Sequence, residues 1–206
     1  MRGYPEGEPT SRVSISPNLR AGLVAHDLDI AFLLGPVSES RVTSVPLSRY
    51  PLGWVASPRL ALPAEPVRLA ELAHWPLMTY PRQTRPYLAL REMLARAGVA
   101  KARCSKLVAS TIVRMTPDGI GVSVIPPVGI AREIEAGQLR LVQVDAALPD
   151  LVFTASYPLT PDNRLAIAIA QLAAEVAREA DRRAPEPKRR AARKPQRRRP
   201  PSRGKR

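Results

Sequence analysis

The sequence predicts an α/β fold made of two lobes that share crossing strands. Three observations carry that expectation. Ser110 to Pro127 reads as a short helix, a tight glycine turn and a buried strand. Arg12 to Leu34 reads as strand, helix and strand, a unit that predicts parallel pairing. A late strand at Leu151–Tyr157 and a long closing helix follow several further strand and helix units, as a return into the first lobe would.

Residues 1–10 are rich in Pro, Gly and Glu and are expected to be disordered. Arg12–Ile15 alternates as a short strand would. Ser16-Pro17 reads as a helix cap with proline at the first helical position, where its missing N–H costs nothing. Leu19 and Leu23 share one helical face, and His26-Asp27 closes the helix. Leu28–Leu34 is a buried-strand candidate that Gly35-Pro36 ends.

Two strand-like pieces follow, Val42–Leu47 and Leu52–Ala56, and then a proline-rich connection over 57–67. Leu69–Ala73 is a short helix and Pro76–Tyr80 a strand. Pro86 opens a helix carrying Tyr87, Leu90, Leu94 and Ala97 on one face, with Gly98 at its end. Residues 103–108 form a strand candidate leading into Ser110, whose hydroxyl can cap the next helix. Gly119 supplies the left-handed turn, Gly121–Ile125 is β-branched and almost wholly apolar, and Pro126-Pro127 stops it because neither residue donates to a ladder.

Gly129–Ala136 is a short helix closed by Gly137, and Leu139–Val144 alternates as a strand. After Leu151–Tyr157, Thr160 and Pro161 read as the cap and first residue of the last helix, with Leu165, Ile169, Leu172 and Val176 as its apolar stripe. On this reading 11–54 plus 150–182 form lobe I, 55–149 form lobe II, and 183–206 are a disordered basic tail.

Composition narrows the function. The 206 residues, 45% hydrophobic and 24% charged, suit an ordinary globular domain. No apolar run is long enough to span a membrane, and the first residues contain no secretory core, so a cytoplasmic location is the expectation. The single Cys104 gives neither an internal disulfide nor a metal cluster. Of the net charge of +14, residues 183–206 hold +11, leaving a nearly neutral body.

The helix beginning at Ser110, the Asp-Gly-Ile-Gly turn at 118–121 and the strand ending in Ile125-Pro126 resemble the second lobe of the effector-binding domain of LysR-type transcriptional regulators. "His-Asp-Leu-Asp-Ile-Ala" at 26–31 and "Leu-Ala-Glu-Leu-Ala…Trp-Pro-Leu-Met" at 69–78 resemble the same family, in the same order. The resemblance covers residues 12–180. It implies a two-lobed, periplasmic-binding-protein-like type II fold and a cytoplasmic effector sensor rather than an enzyme. The family's helix-turn-helix and linker helix have no counterpart here, and residue 12 aligns with the second strand of the effector domain. A truncated or degenerate regulator with an incomplete first lobe is therefore expected.

Ligands of such folds sit where lobes meet, at strand carboxyl ends and helix starts, whose free N–H groups suit carboxylates. Three places are named: Ser16 and Asn18; the loop Tyr80, Arg82, Gln83 and Thr84; and Ser110 with Thr111. The resemblance adds the strand end at Gly35 and Pro36. It implies a small organic effector, a carboxylate, as partner. It also implies homo-oligomerisation, and DNA contact only through a segment outside this sequence. No cofactor and no metal is expected.

No Gly-x-Ser-x-Gly, His-Glu-x-x-His or phosphate loop is present, and His26, His74, Cys104, Asp27/Asp29 and Glu133/Glu135 form no catalytic spacing. A solute-binding protein of a transport system shares the architecture but needs export. Lys188, Arg189, Arg190, Arg193, Lys194, Arg197, Arg198 and Arg199 suit non-specific phosphate-backbone contact, without aromatics for base stacking.

Overall fold

A computed structural model describes residues 10–99, 102–107 and 109–183. The expectations placed on residues 1–9 and on Lys188–Arg199 lie outside them. The strands form two sheets. One is three-stranded in the order β1 (Ala31–Leu34), β8 (Asp150–Pro158), β2 (Val42–Pro51). The other is five-stranded in the order β5 (Cys104–Lys106), β4 (Leu77–Thr79), β6 (Val122–Ile125), β3 (Gly53–Ala56), β7 (Arg140–Val142).

The chain crosses between the sheets twice, from β2 to β3 through Leu52, and from β7 to β8 through residues 143–149. At the crossing the rings of Tyr50 and Phe153 meet edge to face, 5.9 Å apart. Hydrogen bonds tie the sheets further: Trp54 Nε1 donates to the Ala146 carbonyl at 3.1 Å, and Arg85 donates to the Pro36 carbonyl at 3.4 Å.

The five-stranded sheet is covered on both faces, which explains why its strands read as continuous apolar runs. Val122 and Val124 face Leu69 and Leu72 of α2 (Leu69–Leu72) and Leu90 and Leu94 of α3 (Arg85–Arg96). Ile125 faces the other way with Val55 and Met78, against Ile112 of α4 (Ala109–Met115) and Ile130. Ile130 ends a 3-10 turn (Pro127–Ile130) that leads into α5 (Ala131–Glu135). Gly121 enters β6 so close to the Pro76 carbonyl that a Cβ would collide with that backbone. Gly119 has φ +72°, the left-handed turn that the sequence demanded.

The three-stranded sheet departs from its sequence reading. Arg12–Ile15 is not a strand: these residues pair with nothing in the sheet, and Val13 is almost fully exposed. β1 is therefore not paired in parallel with an earlier strand. It lies antiparallel against β8, with Ala31 opposite Ser156, and β2 flanks β8 antiparallel on the other side. Local alternation cannot report which distant strand becomes the neighbour.

α1 (Ser16–Val24) covers one face of this sheet through Leu23, against Ala31 and Leu33. α6 (Arg164–Arg183) covers the other through Ala166 and Ala170, against Ala155 and Tyr157. Two expectations for α6 are corrected. It starts at Arg164 rather than at Thr160-Pro161, because Asn163 closes the preceding turn with its Nδ2 on the Pro158 carbonyl at 3.0 Å. Its Leu165, Leu172 and Val176 face outward, exposed by 44%, 51% and 59%. The alanine stripe packs inward instead, since small side chains let the helix approach the sheet closely.

Candidate functional site

A cavity of about 540 Å³ opens between the two sheets, at the carboxyl ends of β1, β4 and β6. The first sheet contributes Leu33, Leu34, Leu151 and Phe153; the second contributes Ile125, with Tyr80 and Pro126 just past the ends of β4 and β6 and Ile130 from the 3-10 turn. Ser16 from α1, Thr84 before α3, and Ser110 and Val113 from α4 complete the wall. The lining holds no charged side chain among the described residues.

Its polar side-chain chemistry therefore rests on six hydroxyls, those of Ser14, Ser16, Tyr50, Tyr80, Thr84 and Ser110. Ser16 was expected to cap α1, but the cap position is Ile15 and no side chain caps the helix. The Ser16 Oγ instead accepts the backbone N–H of Leu34 at 3.1 Å, which leaves its own proton free to donate. Thr84 Oγ1 donates to the Pro81 carbonyl at 2.7 Å, so it offers lone pairs only. Burial pushes the Tyr80 phenol up to about 12, so it remains a neutral donor through the physiological range. Ser110 is exposed within the first turn of α4, which begins one residue earlier, at Ala109.

Backbone N–H groups contribute less than the sequence implied. Pro17 and Pro86 each remove one donor from the starts of α1 and α3. The N–H groups of Asn18 and Leu19 already bond the Ile15 carbonyl, and that of Leu88 bonds Thr84.

Of the residues named from sequence, Ser16, Tyr80, Thr84 and Ser110 line this cavity. Asn18 does not: it is exposed, and its Nδ2 donates to Ser14 Oγ at 3.0 Å. Thr111 is half-buried within α4 and Gln83 is exposed, and neither is part of the lining. Gly35 lines a smaller neighbouring cavity with Arg85, while Pro36 beside it is exposed and offers its carbonyl to Arg85. Arg82 lines a separate cavity altogether.

The apolar wall was missed. Leu33-Leu34, Ile125-Pro126 and Leu151–Phe153 lie at strand ends, and the two strand-ending prolines and Gly35 were the available signal. The histidines stand apart: His26 is exposed in the left-handed region at φ 60°, and His74 is exposed with Nδ1 2.9 Å from the Glu71 carbonyl. Cys104 is half-buried, and burial raises its thiol pKa against the opposing pull of Arg91 and Lys106. Among the described residues no three His, Cys, Asp or Glu side chains gather as metal ligands, and no helix is long and apolar enough to cross a membrane.

Residues 1–181 match a family model described as the LysR substrate binding domain. No curated protein matches the chain. Among solved structures, the chain is similar to the regulatory domain of MetR, a LysR family regulator from N. meningitidis, at 18% identity over 78% of each chain, with a TM-score of 0.62. It is similar to the CcmR regulatory domain from Synechocystis, solved in complex with 2-PG, at 15% identity over 81% of each chain and a TM-score of 0.67. The apo regulatory domain of HypT from Salmonella typhimurium gives 15% identity, 86% coverage of each chain and a TM-score of 0.67.

Proposed function

The chain belongs to the LysR substrate binding domain family, and from that premise we propose that it senses a small organic effector in the cavity between its two sheets. The family is one of ligand-binding regulatory domains, which favours this reading over catalysis and over solute transport. The CcmR regulatory domain, with its 2-PG, is a precedent for a small ligand in a domain of this shape.

One observation carries the proposal: a cavity of about 540 Å³, built from both sheets, whose wall is apolar with a few hydroxyl donors. A site of that size and lining suits a ligand with an aromatic or aliphatic body and few polar groups. We assign its polar head as a single carboxylate. The donors we assign to it are Ser16, Tyr80 and Ser110, whose hydroxyl protons no partner takes among the described residues. We further infer that residues 11–54 plus 150–182 and residues 55–149 act as two lobes. Effector bound between them favours a closed arrangement, so ligand shifts a population rather than creating a new state.

The test is a titration of the whole chain with aromatic monocarboxylates and their neutral amides, by calorimetry and thermal shift. Saturable binding by the acids, with a raised unfolding temperature and a smaller radius of gyration in solution scattering, is expected. A folded chain that binds neither series would overturn effector sensing. Equal binding of acids and amides would overturn the carboxylate alone.

A further inference from the structure

A second cavity, of about 550 Å³, shares no residue with the first. Its chemistry is opposite. Three cations line it, from three separate elements: Arg82 in the loop before α3, Arg91 on α3 and Lys106 on β5. No carboxylate lines it among the described residues. Arg49, Arg68, Arg96, Arg140 and Arg183 are each paired with an acid, whereas Arg82, Arg91 and Lys106 form no ion pair among the described residues.

We propose that this cavity is a separate binding site for a small organic phosphate. The three cations stand exposed around one hollow, where a single bound anion can meet all of them. Arg91 and Arg82 carry forked guanidinium donors that match a tetrahedral oxyanion, and Lys106 adds a point charge. A buried polar group holds the site together: Tyr87 is 5% exposed, and its hydroxyl lies 3.4 Å from Arg91 Nη1, orienting the guanidinium. Leu94 and Val99 supply an apolar floor for the organic part of the ligand. The first cavity has no lining charge, so the three cations here distinguish the two sites.

Cys104 lines this cavity and is the only cysteine in the chain, so its thiol reports occupancy. The experiment uses the full chain, with phenyl phosphate as probe and phenylacetate and inorganic phosphate as comparison arms. Phenyl phosphate is expected to bind saturably, more tightly than either comparison, and to slow alkylation of Cys104 by N-ethylmaleimide. Binding weakens with added salt, as contacts between exposed charges do. The Arg91→Gln/Lys106→Gln variant should lose at least about tenfold in affinity, equivalent to about 1.4 kcal/mol. Unchanged alkylation of the wild-type chain at saturating phenyl phosphate would overturn the proposal without any variant. Affinity preserved in the double variant would overturn it too, by placing the anion on other basic residues. Preference for phenylacetate would keep the site and discard the phosphate.

Discussion

Ser16 Oγ accepts the backbone N–H of Leu34 at 3.1 Å, joining the start of α1 to the end of β1. β1 has β8 on one side only, so its alternate N–H groups point to an open edge. The Gly35 N–H donates to the Val152 carbonyl, toward β8, which fixes the Leu34 N–H on the open side. At this one position a serine side chain thus takes the place of a neighbouring strand, beside the cavity between the sheets.

Ser16→Ala removes that acceptor and one of the cavity's free hydroxyl protons together. The loss of a part-buried hydrogen bond should lower unfolding stability by about 0.5–1.5 kcal/mol. In urea titrations the midpoint falls while the slope stays constant. Asn18→Ala, two residues on and exposed, should change stability by less than about 0.5 kcal/mol. Equal effects from the two variants would contradict the role given to Ser16.

Tyr80 gives a pH signature. Its phenol is pushed up to about 12 by burial, from the ordinary 10.0. Below pH 10 both folded and unfolded chains keep the proton, and the group contributes no slope. Above it the unfolded chain loses the proton first, so stability falls as pH rises toward about 12. Tyr80→Phe has no such proton. The stability difference between wild type and variant should be flat to pH 10 and then shift in favour of the variant, read by denaturant titration at stepped pH. A flat difference throughout would mean that the phenol is not buried.

The contrast between the lobes explains what the sequence could and could not convey. Ser110 to Pro127 was legible because every signal in it is local: a glycine turn, a β-branched run and two prolines. The pairing of Ala31 with Ser156 has no local mark, since the two are joined only by the folded sheet. Periodicity found a stripe on α6 but not the buried one, because alanine carries a weak hydrophobic signal and packs closest. The cavity's helix starts were legible from Ser16, Thr84 and Ser110. Its walls were not, because Leu34, Ile125 and Phe153 reach it from three remote strands. Arg82 and Thr84, neighbours in one loop, face different cavities, a separation that only the loop's path decides.

The two stripes of α6 give opposite expectations for substitution. Ala170 is fully buried against β2 and β8, and Leu172 is 51% exposed. Ala170→Leu forces three extra carbons into a packed interface and should cost about 1–3 kcal/mol. Leu172→Ala should stay within about 0.5 kcal/mol of wild type. Thermal unfolding of the two variants decides which stripe is the core; the reverse order would return the helix to the packing its periodicity suggested.

Two buried threonines differ only in whether their hydroxyls are used. Thr116 Oγ1 donates to the Ile112 carbonyl at 2.6 Å, so the Ser123 hydroxyl, also 2.6 Å away, must donate to Thr116. Thr116→Val strands the buried Ser123 hydroxyl and should cost about 1–3 kcal/mol. Adding Ser123→Ala removes the orphan and should recover part of that loss, an interaction energy that a double-mutant cycle isolates. Thr79 is 0% exposed, and its Oγ1 has no partner among the described residues. Its hydroxyl is desolvated without return, and valine has the same shape and suits a strand. Thr79→Val should therefore raise stability by about 1 kcal/mol, with the effector cavity untouched because Thr79 is not in its lining. Destabilisation by Thr79→Val would show that the hydroxyl has a partner in solution, and effector titration of the same variant would show whether that partner lies in the cavity.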